Sequence, residues 1–293
     1  MQNRRGALIK VDFPGLSAGF ADCHPWEELG DQPLDSQLIG LKKGKTTPLT
    51  RRCIRIAQID AEARNRNINL LKDVKPIKNH LLLPGIDAKV LEGYTRIKVK
   101  VGRNPKREVQ RLISLFHEYG LSIKWRLDFN GRLTPDQFCS YMKGIEPFVE
   151  HIDYIEDPFP YEPSLWASMQ KKYNVDFAAD QFSEIYLMDP SHVYTVVKPA
   201  VQETDLFCKN HDKQIVVTSY LDHPFGQVSA FYEAHRINRS KKLSHCGLIS
   251  HLVYQPNRYS ERFKLSGDSL IFPNEGSGFG FDDLLEAEKW IAL

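Results

Sequence analysis

Long hydrophobic runs, paired cysteines and an excess of charge of either sign are all missing from this sequence. No stretch of about 18 apolar residues occurs, which excludes a membrane-spanning helix, and the apolar run at the start is too short for a signal peptide. The five cysteines are scattered without a C-x-x-C pair, so neither a disulfide framework nor a zinc site is indicated. These absences predict a cytoplasmic protein without a membrane partner.

Charges of the two signs are nearly balanced, with 39 Lys and Arg against 37 Asp and Glu. A surface that follows nucleic-acid phosphates usually carries a larger basic excess, so no nucleic-acid partner is expected. A G-x-G-x-x-G turn after a first strand is also absent, so the fingerprint of a dinucleotide-binding fold is missing. The 293 residues provide room for one barrel and a smaller domain, and they leave the oligomeric state open.

Six charged residues do occur in a conspicuous place, at or near the ends of five short apolar runs. A buried parallel strand is almost entirely apolar, so such charges are expected at strand ends, where they point into a site. Successive runs place these charges 28, 28, 24 and 18 residues apart, a spacing that fits one strand, one helix and two loops. The pattern predicts a βα barrel. The six residues are Lys98, Lys100, Asp128, Glu156, Asp180 and Lys198.

Apolar periodicity and turn residues predict strands that alternate with helices, which is typical of a parallel sheet. The number of these units favours closure into a barrel. The predicted strands cover residues 80–83, 95–101, 122–129, 154–157, 176–180, 194–198 and 215–219, with a last apolar run at 247–254. The helices predicted among them include residues 86–92, 105–119 and 135–146.

Three domains or segments are predicted from this pattern. Residues 1–68 form a capping domain with a hairpin at 6–20, a polar loop at 21–31 and a helix at 48–67 that links it to the barrel. Residues 69–271 form the barrel, and residues 272–293 return toward the cap.

The three carboxylates of Asp128, Glu156 and Asp180 favour a metal site. Hard oxygen ligands at the ends of successive strands suit Mg²⁺, and Mn²⁺ is expected to substitute for it. No His or Cys accompanies them, which argues against zinc. Each carboxylate alone would more often be a salt-bridge partner at a strand end, but three in successive units favour a shared ion.

The three lysines favour proton transfer beside that ion. Lys98 and Lys100 are two apart and so face the same way on one strand, where like charge lowers the pKa of an amine. Lys198 comes from the opposite side of the ring of strands, although a lysine before a proline can also be a solvated strand end. Together with Mg²⁺ the lysines suit removal of a proton next to a carboxylate.

The motifs K-V-K, D-F-N, E-D-P, D-Q and V-K-P, in this order over residues 98–199, resemble the enolase superfamily. Lysines at both flanks resemble its muconate-lactonizing branch, and R-L-D-F-N is similar to the R-x-D-x-N of the o-succinylbenzoate synthase family. The resemblance implies an α/β fold, a (β/α)7β modified TIM barrel with a smaller α+β capping domain. It also implies a Mg²⁺-dependent carbon-oxygen lyase acting on a small carboxylate. The implied reaction dehydrates 2-succinyl-6-hydroxy-2,4-cyclohexadiene-1-carboxylate to 2-succinylbenzoate, in menaquinone biosynthesis.

The same resemblance implies roles for individual residues. Lys100 would take the α-proton and then, as an acid, assist departure of hydroxide, while Lys98 would lower its pKa. Lys198 would stabilise the enediolate intermediate. Arg126 and Asn130 would support the metal ligands from behind.

Two further motifs resemble substrate-binding segments of that family. V-T-S-Y resembles its paired hydroxyl residues, which implies that Thr218 and Ser219 lie near the substrate. G-F-A-D-C-H-P-W resembles its mobile capping loop, which implies that Gly19 and Phe20 contact the substrate. The family's cap usually begins with another strand before the residues that resemble Arg5 to Asp12, so a cap shortened at its start is expected.

Other readings of the same residues stay open. An N-acylamino acid racemase or a dipeptide epimerase would use Lys100 and Lys198 as opposed bases, and Asp222 could bind a substrate ammonium group. A barrel that only binds a ligand would be expected to lose such site residues. A metal-dependent hydrolase would need histidines at strand ends; His80 lies at the wrong end of its strand, and only His223 and His251 could touch a substrate.

Overall fold

The computed structural model describes residues 4–83, 85–90, 92–209, 212–240 and 243–293. Its first unit is an antiparallel hairpin of β1 (Ala7–Val11) and β2 (Gly19–Cys23), as the sequence predicts. Strand β2 continues through Cys23, however, so the polar loop begins only after it. Alternate residues of β2 are buried, and this apolar face explains why the strand extends further than its polar residues suggested.

Two helices follow the hairpin, α1 (Leu34–Lys42) and α2 (Pro48–Asn65). Helix α2 begins with a capping box between Thr47 and Thr50, and Pro48 occupies its first turn. The helix packs closely on β2, since a Cβ on Gly19 would lie 1.8 Å from the Ala57 carbonyl oxygen. The helix predicted at residues 48–67 is thereby confirmed.

The barrel is built from seven parallel strands that pair in chain order. They are β3 (Leu81–Leu83), β4 (Arg96–Lys100), β5 (Lys124–Asp128), β6 (Ile152–Glu156), β7 (Phe177–Ala179), β8 (Tyr194–Val197) and β9 (Gln214–Val217). The α-helices between or after them are α3 (Pro105–Tyr119), α4 (Pro135–Ile145), α5 (Pro163–Tyr173) and α6 (Pro224–Asn238).

A short segment, residues 243–247, closes the ring between β9 and β3. On one side Gly247 N–H donates to the Val217 carbonyl at 2.8 Å. On the other side His80 N–H donates to the Cys246 carbonyl, also at 2.8 Å. The predicted closure into a barrel is therefore confirmed, with this segment in the eighth position. The predicted apolar run at 247–254 is instead a loop with a 3-10 turn at Ser250–Val253.

The helix predicted at residues 86–92 is wrong. Residues 85–90 form turns and bends, and Leu91 lies outside the described residues. The sequence explains this outcome, because Pro84-Gly85 and Gly93 leave too few residues between them to offset the cost of nucleating a helix.

Strand alternation divides the barrel residues between two environments. Side chains such as Ile97, Val99 and Leu127 face the surrounding helices and belong to the large apolar core. The inside of the barrel has only a small apolar plug, formed by Tyr154, Ala178, Val196 and Val216. Inward positions of β4 and β5 are charged, at Lys98, Lys100, Arg126 and Asp128, which indicates a site rather than a packed core at this end of the barrel.

The chain after the barrel begins with a hairpin, β10 (Lys264–Ser266) and β11 (Ser269–Ile271), and later forms the short helix α7 (Asp282–Glu286). It lies against the cap. The buried carboxylate of Asp60, on α2, accepts from the backbone N–H groups of Phe20 (3.0 Å) and Phe279 (2.7 Å). Trp290 packs on the ring of Phe20. None of the helices in the described part of the chain is long and apolar enough to cross a membrane.

Candidate active site

A cavity of about 80 Å³ lies at the carboxyl ends of the barrel strands, beneath the segment that follows β2. Five of the six charged residues singled out in the sequence line it, and the sixth, Glu156, contacts one of them. The lining residues are Trp26, Leu29, His80, Leu82, Lys98, Lys100, Asp128, Asn130, Asp180, Lys198, Thr218, Ser219, Leu221, Gly247, Ile249 and Ser250.

Strand register brings the charged residues together. Lys100 is paired with Asp128, and Asp128 with Glu156, across three neighbouring parallel strands. Asp180 and Lys198 directly follow the next two strands. The turn at Asp180 is held by Asp157, whose carboxylate accepts the backbone N–H of Asp180 at 3.2 Å. Sequence analysis did not single out Asp157, whose position beside Glu156 was the available signal.

Two of the lysines are ion-paired with the carboxylates. Lys98 Nζ lies 2.5 Å from Glu156 Oε1 and 3.1 Å from Asp128 Oδ2, and Lys198 Nζ contacts Asp180 Oδ1. Burial disfavours the Lys98 ammonium, but the carboxylates outweigh it and raise the pKa of Lys98 well above its usual value. Burial likewise opposes ionisation of Asp180, yet Lys198 and then Lys98 lower its pKa.

Lys100 differs from its neighbours, because its Nζ has no ion pair with any described residue. The amine lies 5.5 Å from the ring centroid of Trp26. Its pKa is lowered, chiefly by burial and further by the charges of Lys98 and Lys198, against the pull of the nearby carboxylates. A lysine with an unpaired amine and a lowered pKa is the best-placed base in the cavity.

The carboxylates fit Mg²⁺ in their donor chemistry. All three offer hard oxygens, and Glu156 Oε2 is buried without a hydrogen-bond partner in the described structure. Burial, together with Asp128 and Asp180, raises the pKa of Glu156 to about 7, so an added cation would favour its ionised form. As the described residues stand, no three His, Cys, Asp or Glu side chains converge closely enough to hold a cation. Lysine ammonium groups balance the carboxylates instead.

The two residues predicted to support the metal ligands lie in different places. Asn130 does contact a carboxylate, since its Nδ2 donates to Asp128 Oδ1 at 2.6 Å. Arg126 contacts none of the three proposed metal ligands in the described structure, so that prediction is wrong: it donates to the Asp153 carboxylate (2.7 Å) and to His80 Nδ1 (2.8 Å). The reason is distance, because residues two apart on a strand face the same way but lie roughly 6–7 Å apart along it.

The prediction that Gly19 and Phe20 contact the substrate is also wrong. Both belong to β2, outside the cavity lining, and the Phe20 ring packs on Trp290 and beneath Arg64. The cap reaches the cavity through Trp26 and Leu29 instead, further along the same motif. Leu29 is half exposed.

This segment, residues 24–31, is tied to the barrel loop after β9. Asp31 Oδ2 accepts both the Trp26 backbone N–H (2.7 Å) and the Tyr220 hydroxyl (3.0 Å). Arg4 donates to the carbonyls of Leu221 (2.7 Å) and His24 (3.1 Å), and its guanidinium stacks over Trp26. We call the Asp31–Tyr220 contact the latch, because it joins the cap to the barrel across the cavity.

The side of the cavity away from the carboxylates carries neutral polar groups. The hydroxyls of Ser219 and Ser250 hydrogen-bond to each other, and Thr218 Oγ1 is buried without a partner among the described residues. His80 also lines this side, which corrects its assignment to the wrong end of the barrel. Strand tilt explains the difference, since the start of β3 adjoins Cys246 and Gly247 near the end of β9.

Asp222, His223 and His251 line a second cavity of about 530 Å³, and they are absent from the lining of the first. Burial, followed by the charge of Asp22, raises the pKa of Asp222 to about 7, while His24 opposes the change. The expectation that these three residues could contact a substrate in the barrel is therefore not met by their position.

Comparisons with known proteins agree with this geometry. A family model described as "O-succinylbenzoate synthase, N-terminal domain" matches residues 1–63, and one described as "Enolase C-terminal domain-like" matches residues 86–183. An o-succinylbenzoate synthase of Bdellovibrio bacteriovorus is 33% identical, covering 99% of this chain and 92% of the relative.

Two further matches are more distant. An L-Ala-D/L-Glu epimerase of Francisella tularensis subsp. novicida is 25% identical, over 49% of this chain and 44% of the relative. The crystal structure of a mandelate racemase/muconate lactonizing enzyme from Roseiflexus sp. superposes with a TM-score of 0.76 at 14% identity. The superposition covers 94% of this chain and 97% of the other, which shows the shared fold.

Proposed function

The chain belongs to the o-succinylbenzoate synthase family of the enolase superfamily, and from this we propose that it dehydrates 2-succinyl-6-hydroxy-2,4-cyclohexadiene-1-carboxylate to 2-succinylbenzoate. The observation that carries the proposal is the half-buried amine of Lys100, which makes no ion pair among the described residues and faces the same cavity as Asp128, Asp180 and Lys198. Such a site suits removal of a proton next to a carboxylate.

In the proposed reaction Lys100 first acts as a base. Its amine takes the proton from the ring carbon that bears the carboxylate, and the electrons of the broken C–H bond move into that carboxylate to give an enediolate. The same lysine, now an ammonium, lies on the same face as the ring hydroxyl. As the enediolate collapses, the C–O bond breaks, the departing hydroxide takes the proton from Lys100, and water leaves as the ring becomes aromatic.

Asp128, Glu156 and Asp180 would hold Mg²⁺, with Asn130 fixing the orientation of Asp128. The ion, when bound, draws off negative charge that develops on the substrate carboxylate. Lys98 stays charged between two carboxylates and disfavours a second ammonium at Lys100. Lys198 supplies positive charge from the opposite side of the cavity.

We infer from the size of the cavity that the cap segment moves during turnover. Its volume of about 80 Å³ is well below the ~300–1,000 Å³ typical of small-molecule sites. Residues 24–31 cover it, with Trp26 over Lys100. We therefore assign the structure to a closed state in which Trp26 excludes water from the base.

The test is loss of the diene absorbance on adding purified protein and Mg²⁺ to the cyclohexadiene acid. Lys100→Ala should lower kcat by ~10²–10⁴-fold, the usual contribution of a positioned base. Lys143→Ala, which changes an exposed lysine on α4, is the matched control and should behave as wild type. EDTA should abolish turnover and Mg²⁺ should restore it. No turnover by the folded wild-type protein would refute the assigned substrate.

Epimerisation of dipeptides is the second candidate, favoured by the placement of Lys100 and Lys198 in one cavity. An epimerase also has to recognise the substrate's ammonium group, and Asp222 lies in the neighbouring cavity. We therefore rank it below dehydration. Racemisation of N-acylamino acids would use the same pair of lysines. Turnover of a dipeptide or acylamino acid panel, with none of the cyclohexadiene acid, would reverse the order.

A further inference from the structure

His80 is a buried histidine on the neutral side of the cavity. Its neighbour Arg126 fixes which ring nitrogen carries the proton. Arg126 Nη1 lies 2.8 Å from His80 Nδ1. A guanidinium can only donate, so Nδ1 must accept, and the ring proton must be on Nε2. Burial, followed by Arg126 and Lys98, lowers the pKa of His80 against a smaller opposing contribution from the His245 backbone, so the ring is neutral. The same Arg126 also donates to the His245 carbonyl, so the guanidinium that orients the ring is itself held.

The Nε2–H of His80 is directed toward the cavity beside a glycine. A Cβ on Gly247 would lie 2.8 Å from His80 Nε2 and 2.9 Å from the Thr218 methyl carbon. The lack of a side chain at Gly247 therefore leaves room for the imidazole next to Thr218. Nε2 has no hydrogen-bond partner within the described part of the chain, although His80 is only 2% exposed.

Thr218 offers a second polar group on the same cavity. Its Oγ1 is buried and unpartnered in the described structure, whereas the neighbouring hydroxyls of Ser219 and Ser250 satisfy each other. Leaving a buried donor unsatisfied costs ~1–3 kcal/mol, so the Thr218 hydroxyl, together with the His80 Nε2–H on the same cavity, indicates a ligand atom that accepts from both. A carbonyl oxygen, with two lone pairs, can accept two hydrogen bonds.

We infer that His80 Nε2–H and Thr218 Oγ1–H bind the keto oxygen of the substrate's succinyl side chain. The inference rests on the proposed function and deepens it, because it assigns the part of the substrate that the carboxylates and lysines do not engage. The charged side of the cavity takes the ring carboxylate, and the neutral side takes the ketone. Arg126 is then a positioning residue that fixes which His80 nitrogen faces the ligand.

The experiment compares two ligands that differ only at the ketone. They are 2-succinylbenzoate and 2-(3-carboxypropyl)benzoate, in which a methylene replaces the keto group, and binding to the Mg²⁺-loaded protein is measured by calorimetry. Wild type should bind the keto compound ~10-fold more tightly or better, as expected for loss of a ligand group from paired donors. Thr218→Val and His80→Phe should each reduce the ratio of the two affinities several-fold, mainly by weakening binding of the keto compound.

Conservative variants separate this role from a structural one. His80→Gln keeps an N–H near the Nε2 position and should retain part of the preference for the ketone. Ser114→Ala, which removes an exposed hydroxyl on α3 outside the cavity lining, is the matched control and should keep the wild-type ratio. Thr218→Val preserves shape, so the test remains decisive even if His80→Phe fails to fold.

The possible outcomes distinguish this inference from the proposed function. Tight binding of both ligands by wild type with equal affinity, or an unchanged ratio in Thr218→Val and His80→Phe, would overturn the His80 and Thr218 assignment alone. Failure of wild type to bind 2-succinylbenzoate or to turn over the diene would overturn the proposed function as well. Nitrogen NMR of labelled histidine gives a reading without turnover: His80 should carry its proton on Nε2, and that signal should shift when the keto compound binds.

Discussion

At the scale of single residues, the three lysines predicted from one sequence pattern differ in the groups that surround their amines. Lys98 is buried between two carboxylates and Lys198 contacts a third, whereas Lys100 faces the Trp26 ring. The same residue type therefore supplies two fixed charges and one group able to exchange a proton. The difference arises from strand register, which pairs Lys100 with Asp128 but leaves the amine clear of its carboxylate.

Asp180→Asn should weaken Mg²⁺ binding by at least ~10-fold while leaving the fold intact. The change removes one charged oxygen from the proposed ligand set, and changes around metal sites commonly cost ~10–100-fold in affinity. The amide has the shape of the carboxylate and removes one of three clustered negative charges, so the fold is expected to stay intact. Calorimetric titration with Mg²⁺ measures the effect, and Asp73→Asn, an exposed carboxylate far from the barrel strands, is the control. Equal affinity in wild type and Asp180→Asn would remove Asp180 from the metal site.

Single residues also show where sequence reasoning reached its limit. The order of charges at strand ends predicted five cavity residues and their neighbour Glu156, because strand period and helix length are local properties. The positions of Arg126 and His80 depend on barrel tilt, which decides which layer each inward side chain joins. Neither residue type nor spacing encodes that tilt, so Arg126 was placed beside the carboxylates and His80 was placed too far away.

At the scale of elements, the segment after β2 determines whether the cavity is open or closed. Residues 24–31 form no strand or α-helix, and their contacts with the barrel include the latch, the Arg4 contacts, the Trp26 packing and the stacking of His24 on His223. Of the motif predicted to be a capping loop, Gly19 to Trp26, only Trp26 lines the cavity, whereas the sequence placed the contact at Gly19 and Phe20. Their pairing with β1 and packing on α2 became evident only in the folded cap.

Tyr220→Phe should loosen this segment without changing the chemistry of the base. Removing one hydrogen bond to Asp31 is worth ~1 kcal/mol, so we expect KM to rise about fivefold while kcat changes less. Amide hydrogen exchange of residues 24–31 should accelerate in the free protein, and exchange of β4–β6 should not. Tyr232→Phe on α6 serves as the control, since its hydroxyl makes no hydrogen bond in the described structure. Unchanged exchange and KM in Tyr220→Phe would mean that the latch does not hold the segment.

At the scale of the whole molecule, cap and barrel meet through buried charges as well as through the latch. Arg52 on α2 donates to the Pro199 carbonyl (3.0 Å) and to Glu233 on α6 (2.9 Å), so a cap helix holds the residue that follows Lys198. Asp22 on β2 accepts the backbone N–H of His223 at the start of α6 (3.0 Å). Contacts of this kind join residues far apart in the chain, and no local pattern in the sequence indicates them.

Asp222, which lies where the cap meets the barrel, should make the free energy of unfolding depend on pH. Burial and the nearby Asp22 raise the pKa of Asp222 to about 7, above the ordinary value of 3.8. Between those values the folded state binds a proton that the unfolded state releases, so this group's contribution to stability falls as pH rises from about 4 through about 7. Asp222→Asn removes the titrating group. At pH 8 the free energy of unfolding of this variant should exceed that of wild type by on the order of 1 kcal/mol or more.

Urea unfolding at pH 5 and pH 8 measures this difference. The free energy of unfolding of Asp222→Asn should exceed that of wild type by little at pH 5 and by more at pH 8. The reason is that only the higher pH forces the buried carboxylate to ionise in the wild-type protein. Asp212→Asn, an exposed carboxylate in the loop before β9, should show no such dependence. A gain of the same size at both pH values would indicate better packing or hydrogen bonding of the amide. In that case Asp222 would be ionised throughout, with Arg4 and His24 supplying enough positive charge to hold the cap on the barrel.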